Sequence, residues 1–320
     1  MVMHWLAELD GRRVVVEVPG SSANLGAGYD CLGLALDLVN RVELEVRGWS
    51  RGEVDLTVDG EGAGELTADR DNRFVRGVET VMRAARGSLP EGTGWRVEMR
   101  NAIPLARGLG SSAAATVGGL VAGNALLGEP LTAADLLRLA TDIEGHADNA
   151  AAALLGGFVV TADVEGVVEA VRFDAPRDLR AVLFVPERRL ATENMRAVLP
   201  SDVPRADAVA NLGRVALGVA GIATGRFDLL RSLTVDRLHE PYRAAAYPEL
   251  PQLVEAARGA GALGACLSGA GSTILAFSDS MTGIARIEAA FRAASADTDL
   301  GGRVVVVSPR NVGAQVVASS

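Results

Sequence analysis

The residues best suited to chemistry lie in a Gly/Ser-rich segment at 104–115, which reads PLARGLGSSAAA. Gly108 and Gly110 allow the backbone to approach a ligand closely. Ser111 or Ser112 can cap the helix that follows. The start of a helix presents free N–H groups and a partial positive charge. Because these are the physical requirements of a phosphate site, the segment predicts phosphate held by backbone N–H groups.

A second cluster reads EGHADN at 144–149 and carries four polar groups between two apolar helical segments. A single histidine such as His146 is more often structural than catalytic, but four different polar groups in six positions indicate a site. Glu144 offers a hard oxygen ligand of the kind that Mg²⁺ binds together with phosphate oxygens. Asp148 and Asn149 complete the cluster.

Three further segments are weaker signals when each is considered alone. Asn24 and Asp30 lie in a Gly-studded segment at 19–30, where turn formation is the simpler interpretation. Arg196 and Arg243 could each bind a carboxylate through a forked guanidinium, although a solvated arginine is more common. The glycine-rich segment 268–273 is either a plain turn or a close approach to a ligand.

The basic residues exclude several classes of enzyme. All 31 are Arg, since the sequence contains no Lys. Walker-A NTPases and protein kinases need a Lys on the phosphates, and Schiff-base enzymes need a Lys nucleophile. The formal net charge of −9 argues against nucleic-acid partners and anionic membrane surfaces. With no Lys, backbone N–H groups and Mg²⁺ must neutralise most of any bound phosphate.

Cysteine content and hydropathy indicate a cytoplasmic protein. Cys31 and Cys266 lie in apolar runs and show no disulfide or zinc spacing. Acidic residues occur early, and no long apolar segment follows them, so no signal peptide is predicted. The uncharged stretch 108–128 is rich in Gly, Ala and Ser, which favours a buried helix over a membrane span.

The elements that must position these residues follow from hydrophobic periodicity. Strands are predicted at 14–18, 41–47, 54–58, 95–100, 158–162, 167–173, 179–185, 265–267, 273–277 and 302–307, with a loop at 20–30. Helices are predicted at 73–86, 111–127, 132 to about 145, 150–155, 192–199, 206–223, 227–233, 250–259 and 281–293. Helices and antiparallel-looking strands mix throughout, which predicts an α+β protein with two domains, 1–173 and 174–320.

Together the motifs resemble those of the GHMP superfamily of small-molecule kinases. The chain carries PxSSANLGxGxD at 19–30, PxxxGLGSSAA at 104–114 and SGAGxT at 268–273, in that order. Within the superfamily, EGHADN at 144–149 and HEPYR at 239–243 are similar to the homoserine kinases, as is a Thr-x-x-x-Arg sequence beginning at Thr192.

This resemblance implies ATP-dependent phosphorylation of the side-chain hydroxyl of L-homoserine, a step toward threonine. It implies a ribosomal-S5-like N-terminal domain, a ferredoxin-like C-terminal domain, and a site between them. A homodimer is also implied. Two alternatives stay open: another GHMP kinase, acting on a shikimate-type or mevalonate-type substrate, and a non-catalytic ATP-binding protein of this fold. An S5-like fold could also indicate RNA binding, which the acidic balance opposes.

The resemblance also assigns site residues. It implies that ATP phosphates lie on Pro104, Leu105, Ala106, Arg107, Gly108, Leu109, Gly110, Ser111, Ser112, Ala113 and Ala114. It places Mg²⁺ on Ser112 and Glu144. The implied homoserine contacts are Asn24, Asp30, His146, Thr192, Arg196, Arg243 and Gly269. Glu144, Asp148 and Asn149 are the expected catalytic residues, with Asp148 as a candidate base.

The chemistry of homoserine agrees with this assignment, because a zwitterion needs an acid for its ammonium and guanidinium for its carboxylate. Four positions depart from the common family pattern: Tyr29 stands where Phe is usual, and Ala147, Ala152 and Ser272 replace prolines. None of these departures removes a charged contact.

Overall fold

The protein folds into two sheets, each covered by helices, and a computed structural model describes residues 8–47 and 52–320. The strands are β1 Arg13–Ala23, β2 Leu32–Arg47, β3 Val54–Gly60, β4 Gly94–Asn101, β5 Phe158–Val164, β6 Val167–Phe173, β7 Arg180–Pro186, β8 Gly264–Leu267, β9 Ile274–Ser278, β10 Gly302–Val307 and β11 Gln315–Ser319. The helices are α1 Arg73–Arg86, α2 Ser111–Leu126, α3 Ala133–Glu144, α4 Asp148–Leu155, α5 Thr192–Ala197, α6 Arg205–Thr224, α7 Leu230–Leu233, α8 Glu240–Arg243, α9 Leu250–Gly259 and α10 Met281–Asp297, and a 3-10 turn occupies Phe227–Leu229.

The first sheet has seven strands. Five of them follow the order β11-β1-β2-β4-β3, while β5 pairs with β2 and β6. The alternating apolar run Val14, Val16 and Val18 buries one face of β1. The prediction of a loop from residue 20 is wrong in its first part, because β1 pairs with β2 as far as Ala23.

Helix α2 lies buried against this sheet and against α1, which confirms the prediction for the uncharged segment. Small residues allow the two helices to approach closely: a Cβ on Gly119 would lie 2.0 Å from the carbonyl oxygen of Phe74. The predicted helix 73–86 is also confirmed. Thr132 and Asp135 form a capping box at the start of α3, as their spacing predicts.

The second sheet has four antiparallel strands in the order β10-β7-β9-β8. Helices α5 to α9 connect β7 to β8, and α10 connects β9 to β10. This is the β-α-β-β-α-β arrangement of ferredoxin-like folds, as expected from the resemblance. Leu253, Ile287 and Phe291 from α9 and α10 pack into its core.

Two elements were absent from the sequence-based predictions. One is the single turn α8, and the other is β11, which returns from the second sheet to pair with β1. The chain end therefore contributes its last strand to the first sheet, although it follows the second sheet in sequence.

One described helix, α6, is long and apolar enough to cross a membrane, with a mean hydropathy of 1.3 over its most apolar window. Only 22% of that window is buried in the protein. Length and composition are weak evidence by themselves, because core helices of soluble proteins share them.

Candidate active site

The phosphate-loop segment turns its carbonyl groups into the protein. The carbonyl oxygens of Ala106, Arg107 and Leu109 accept hydrogen bonds from backbone N–H groups of Leu190, Thr273 and Ser21, at 3.3, 3.1 and 3.0 Å. Gly108 O accepts from the Ser268 hydroxyl at 2.6 Å. In the described part of the chain, the N–H groups of residues 108–113 donate no hydrogen bond, and residues 106–113 line a cleft of about 320 Å³.

Glycine is required twice in this loop. Gly108 and Gly110 have φ of +72° and +70°, a region that residues with a Cβ rarely adopt. A Cβ on Gly110 would lie 2.1 Å from Ser21 Oγ and 3.0 Å from Asn149 Oδ1. The loop is therefore held against the first motif and the 144–149 cluster by contacts that exclude a larger residue.

The prediction that Ser111 or Ser112 caps α2 is wrong. Gly110 is the N-cap residue, and no side chain accepts a hydrogen bond from the first turn. The Ser112 hydroxyl instead donates to Glu144 Oε1 at 3.1 Å. An uncapped first turn leaves its N–H groups for a ligand, which fits an anion site better than a capped turn would.

Glu144 is 5% exposed and accepts three hydrogen bonds on one oxygen. Besides Ser112, the donors are Thr116 at 2.6 Å and Arg73 at 3.4 Å. Thr116 follows Ser112 by one helical turn, so the spacing on α2 could have identified it. Arg73 begins α1 and comes from a distant segment, so no local sequence signal identified it.

The side chain of Arg107 leaves the loop and bonds to the second sheet. Its Nε donates to Pro186 O at 2.7 Å, and its Nη2 donates to Glu187 O at 2.6 Å. Burial lowers the pKa of Arg107. Its guanidinium therefore joins the two halves of the molecule, while its backbone lines the cleft.

Asp30 and Arg196 form a bidentate ion pair at the end of the cleft away from the phosphate loop. Arg196 donates to Asp30 Oδ1 at 2.7 Å and to Oδ2 at 2.9 Å. It also donates to the Tyr29 hydroxyl at 3.0 Å. The hydrogen bonds that Arg196 donates to Asp30 raise the pKa of Arg196, which stays charged.

The carbonyl oxygen of Gly269 joins the first and third motifs. It accepts from Asn24 Nδ2 at 2.9 Å and from Arg243 Nη1 at 3.0 Å. Gly269 has φ of +55°, and its N–H donates to Ala23 O. The segment 268–273 therefore packs against the phosphate loop and holds two cleft residues, while its Gly269 and Ala270 also line the cleft. Whether it approaches a ligand closely stays a prediction.

His146 and Asp148 are paired at the start of α4. Asp148, 2% exposed, accepts from His146 Nδ1 at 2.9 Å and from the Asn149 N–H at 2.7 Å on the same oxygen. The hydrogen bond to Asp148 raises the pKa of His146, against the opposing effect of burial. Asn149 Oδ1 accepts from Ser21 Oγ at 2.8 Å.

The cleft brings together the expected residues from all of these segments, including Pro104 and Thr192, with two exceptions. Leu105, in the loop, and Ala114, in the first turns of α2, line a neighbouring cavity of about 280 Å³ instead. That cavity is mainly apolar and shares Arg73, Ser111 and Ser112 with the cleft. The cleft also includes Glu193 and Ala270, which the sequence analysis did not identify.

Comparisons with known proteins agree with this arrangement. The GHMP kinases N terminal domain matches residues 72–157, and the GHMP kinases C terminal domain matches residues 219–297. A homoserine kinase from Moorella thermoacetica is 43% identical over 264 residues, covering 82% of this chain and 86% of the relative. One from Synechococcus sp. (strain CC9902) is 42% identical over 284 residues, covering 88% and 89%.

The fold comparison gives the same result. The crystal structure of a homoserine kinase from Cytophaga hutchinsonii superposes with a TM-score of 0.83 at 31% identity, covering 95% of this chain and 97% of that one. The chain belongs to the homoserine kinase family of the GHMP kinases.

Proposed function

We propose that this protein transfers the γ-phosphoryl group of ATP to the side-chain hydroxyl of L-homoserine. One observation carries the proposal: a single cleft contains the unbonded N–H groups of residues 108–113 and also an acid and two arginines, Asp30, Arg196 and Arg243. The first set suits phosphate. The second set suits an amino acid that carries both an ammonium and a carboxylate.

The phosphates of ATP lie on the loop and the first turn of α2. The loop N–H groups supply hydrogen bonds without any lysine, and the partial positive charge of the helix start adds to them. Arg73 supplies a formal positive charge beside the loop, since it lines both the cleft and the neighbouring cavity.

Ser112 and Glu144 are suited to Mg²⁺. Their oxygens are 3.1 Å apart beside the loop, and a hydroxyl and a carboxylate are hard donors that this ion accepts together with phosphate oxygens. When bound, the ion neutralises charge on the phosphates. Residues Thr116 and Arg73 hold the carboxylate in place.

The nucleobase lies in the apolar cavity beside the loop, lined by Phe74, Met99 and Leu105 among others. One wall carries the buried Oδ1 of Asn101, which has no hydrogen-bond partner in the described structure. An amino group on the base would satisfy this acceptor.

Homoserine occupies the opposite end of the cleft. Its ammonium pairs with Asp30, and its carboxylate pairs with Arg196 and Arg243. Asn24, His146, Thr192 and Gly269 line the same space. Asp148 and Asn149 lie between the loop and the substrate end, where Asp148 orients the hydroxyl or accepts its proton. Because the transition state is loose, positioning and charge supply most of the rate.

The test is an assay that couples ADP release to substrate, with L-homoserine compared against threonine and serine. Homoserine should be the strongly preferred acceptor. Preference for a polyol or mevalonate-type substrate would support another GHMP activity, and ATP binding without turnover would support a non-catalytic protein. No phosphorylation of homoserine would refute the proposal.

Calorimetry with Mg-ATP tests the phosphate site separately. Gly110→Ala should abolish measurable binding, because its Cβ would collide with Ser21 Oγ. Gly128→Ala is a matched control, since Gly128 also has a positive φ of +79° and a Cβ there meets nothing within 4 Å. Equal binding by both variants would contradict the assignment of the loop.

A homodimer is also proposed, with α6 at its interface. The outward face of this helix carries Val209, Leu212 and Leu217, which are 61, 70 and 52% exposed. Small residues between them, Gly213 and Ala216, allow a second copy of the helix to pack closely. Leu212→Glu should convert the dimer to a monomer in sedimentation experiments, and a wild-type monomer would refute the proposal.

The remaining proposals concern the cell and the domains. We expect a cytoplasmic enzyme without nucleic-acid or membrane partners, in keeping with the net charge of −9. A domain division at 173/174 falls between β6 and β7. Strand β11 pairs with β1 of the first sheet, so the second domain of this division ends before Gln315–Ser319.

A further inference from the structure

His239 is a fully buried histidine that the proposed chemistry does not use. It immediately precedes α8 and is 0% exposed. Its ring stacks on Tyr29, with centroids 5.1 Å apart and planes inclined by 29°. Because buried polar groups are normally hydrogen-bonded, both ring nitrogens of this imidazole need hydrogen-bond partners.

The two hydrogen-bond partners fix the protonation state of the ring. Nε2 lies 2.9 Å from Gly26 O, and a carbonyl oxygen can only accept, so Nε2 carries the hydrogen. Nδ1 lies 3.0 Å from Arg243 Nη1, and a guanidinium can only donate, so Nδ1 presents a lone pair. The ring is therefore neutral and held in one tautomer.

The surrounding charges are consistent with a neutral ring. Burial lowers the pKa of His239 to about 4, although the nearby carboxylates of Asp236 and Asp30 act in the opposite direction. The positive charge of Arg243 adds to the effect of burial. A protonated ring would direct an N–H at the guanidinium and leave both donors without an acceptor.

The backbone position of His239 is fixed as well. One oxygen of Asp236 accepts from the N–H groups of His239 and Glu240, both at 2.7 Å. The other accepts from Asn211 Nδ2 at 2.7 Å. These hydrogen bonds through Asp236 fix the backbone that carries the imidazole between α6 and α8.

Arg243 depends on His239 for the orientation of its guanidinium. It is 1% exposed. Its Nε donates to Met195 O at 3.2 Å, while Nη1 donates to Gly269 O and to His239, both at 3.0 Å. His239 provides the one side-chain acceptor among these. Nη2 has no partner in the described structure, and Arg243 lines the cleft, so this edge is the one available to a ligand.

We propose that His239 is a positioning residue, a neutral acceptor that turns the free Nη2 edge of Arg243 toward the carboxylate of the amino-acid substrate. The inference rests on the proposed function, since it concerns the same substrate site. Tyr29 completes the arrangement, because its ring stacks on His239 and also lies 5.5 Å from Arg243 Cζ.

Two substitutions separate the two ring nitrogens. In His239→Asn the amide oxygen takes approximately the place of Nδ1, so the acceptor for Arg243 is kept and the bond to Gly26 is lost. In His239→Gln the amide N–H takes approximately the place of Nε2, so the bond to Gly26 is kept and the acceptor is lost. His239→Leu removes both.

The Gln and Leu variants should raise the KM for homoserine by about 10-fold or more, the loss expected for one hydrogen bond to a charged group. The Asn variant should raise it by less than about 3-fold, and the KM for ATP should stay unchanged in all three. A purely structural role would make the Asn and Gln variants equally impaired or raise both KM values together; either result would overturn the proposal.

Wild-type protein gives a test that does not depend on folding of a variant. With ¹⁵N-labelled protein, His239 should show the shifts of an Nε2–H tautomer from pH 5.5 to 8, with its ring assigned among the three histidines through the backbone resonances of the wild type. A ring that titrates near the ordinary pKa of ~6.5, or an Nδ1–H tautomer, would overturn the proposal. Failure of the proposed function appears separately, as absent turnover of homoserine by the wild type.

Discussion

Asp30 and Arg196 face each other across the substrate end of the cleft, joined by hydrogen bonds of 2.7 and 2.9 Å. Each side chain is more than one-third exposed, at 36 and 38%, so a ligand can reach both. An amino-acid substrate carries the same two charges as this pair. Its ammonium and carboxylate can replace the partner that each residue has in the free protein.

Arg196→Ala should raise the KM for homoserine by about 10- to 100-fold, which is the range expected for loss of a charge-assisted hydrogen bond. The KM for ATP should not change, because the phosphate loop lies at the other end of the cleft. Steady-state kinetics with each substrate varied in turn measure both constants. Arg226→Ala is the control, an exposed arginine paired with Asp228; equal effects on both KM values would refute the assignment.

Tyr29→Phe tests a departure of this chain from its family. The substitution removes the hydroxyl that lies 3.0 Å from Arg196 Nη1 and keeps the stacked ring. A neutral hydrogen-bond partner contributes about 1 kcal/mol, so the KM for homoserine should rise about 2- to 10-fold. Tyr242→Phe on α8 serves as the control. An unchanged KM would show that the hydroxyl takes no part in holding Arg196.

Asp148→Asn should lower kcat by about 10²- to 10⁴-fold if Asp148 accepts or orients the hydroxyl proton. It should also lower the pKa of His146, because the hydrogen bond that His146 donates to the Asp148 carboxylate is the main cause of the elevated pKa. Kinetics and an NMR titration of His146 measure the two effects. Nearly full kcat with a lowered pKa would mean that Asp148 only supports His146.

Arg73→Ala tests how a protein without lysine neutralises nucleotide. Arg73 is the arginine that lines both the cleft and the apolar cavity, and its guanidinium makes long contacts of 3.3 and 3.4 Å to Ile143 O and Glu144. The KM for ATP should rise about 10-fold or more, with the KM for homoserine unchanged. Arg76→Ala, an exposed position on the same helix, is the control. An unchanged KM for ATP would show that Arg73 contributes neither its charge nor its contact with Glu144 to nucleotide binding.

The contribution of His239 to the free energy of unfolding should fall in mild acid. Its folded-state pKa of about 4 lies below the ordinary value of 6.5, so the unfolded chain binds the proton more tightly between these values. The contribution of His239 is therefore complete above pH 6.5 and is lost as the pH falls toward 4. In urea unfolding, the wild type should lose about 2 kcal/mol more than His239→Asn between pH 7.5 and pH 5. The comparison removes the opposing effect of Glu240, whose pKa is raised to about 8 by burial in both proteins. Equal losses in the two proteins would contradict the neutral ring.

The sequence by itself determined the main elements and the members of the cleft. Periodicity and composition identified α1, α2, α9 and β6 closely, because their apolar spacing or lack of charge leaves few alternatives. The order of three glycine-rich motifs identified the superfamily. The motifs, and the family resemblance that they carry, also identified nearly all residues that line the cleft, because residue types suited to binding and catalysis are concentrated in these motifs.

Tertiary structure alone decided how those residues act on one another. Gly110, and not a serine, is the N-cap residue of α2. The Ser112 hydroxyl donates instead to Glu144, which lies at the end of the neighbouring helix α3. Arg73 reaches Glu144 from 71 residues away, and His239 meets Gly26 from 213 residues away. Such contacts depend on how sheets and helices pack, and no periodicity within one segment encodes them. The same reason explains β11, a short exposed strand that pairs with β1 of the first sheet.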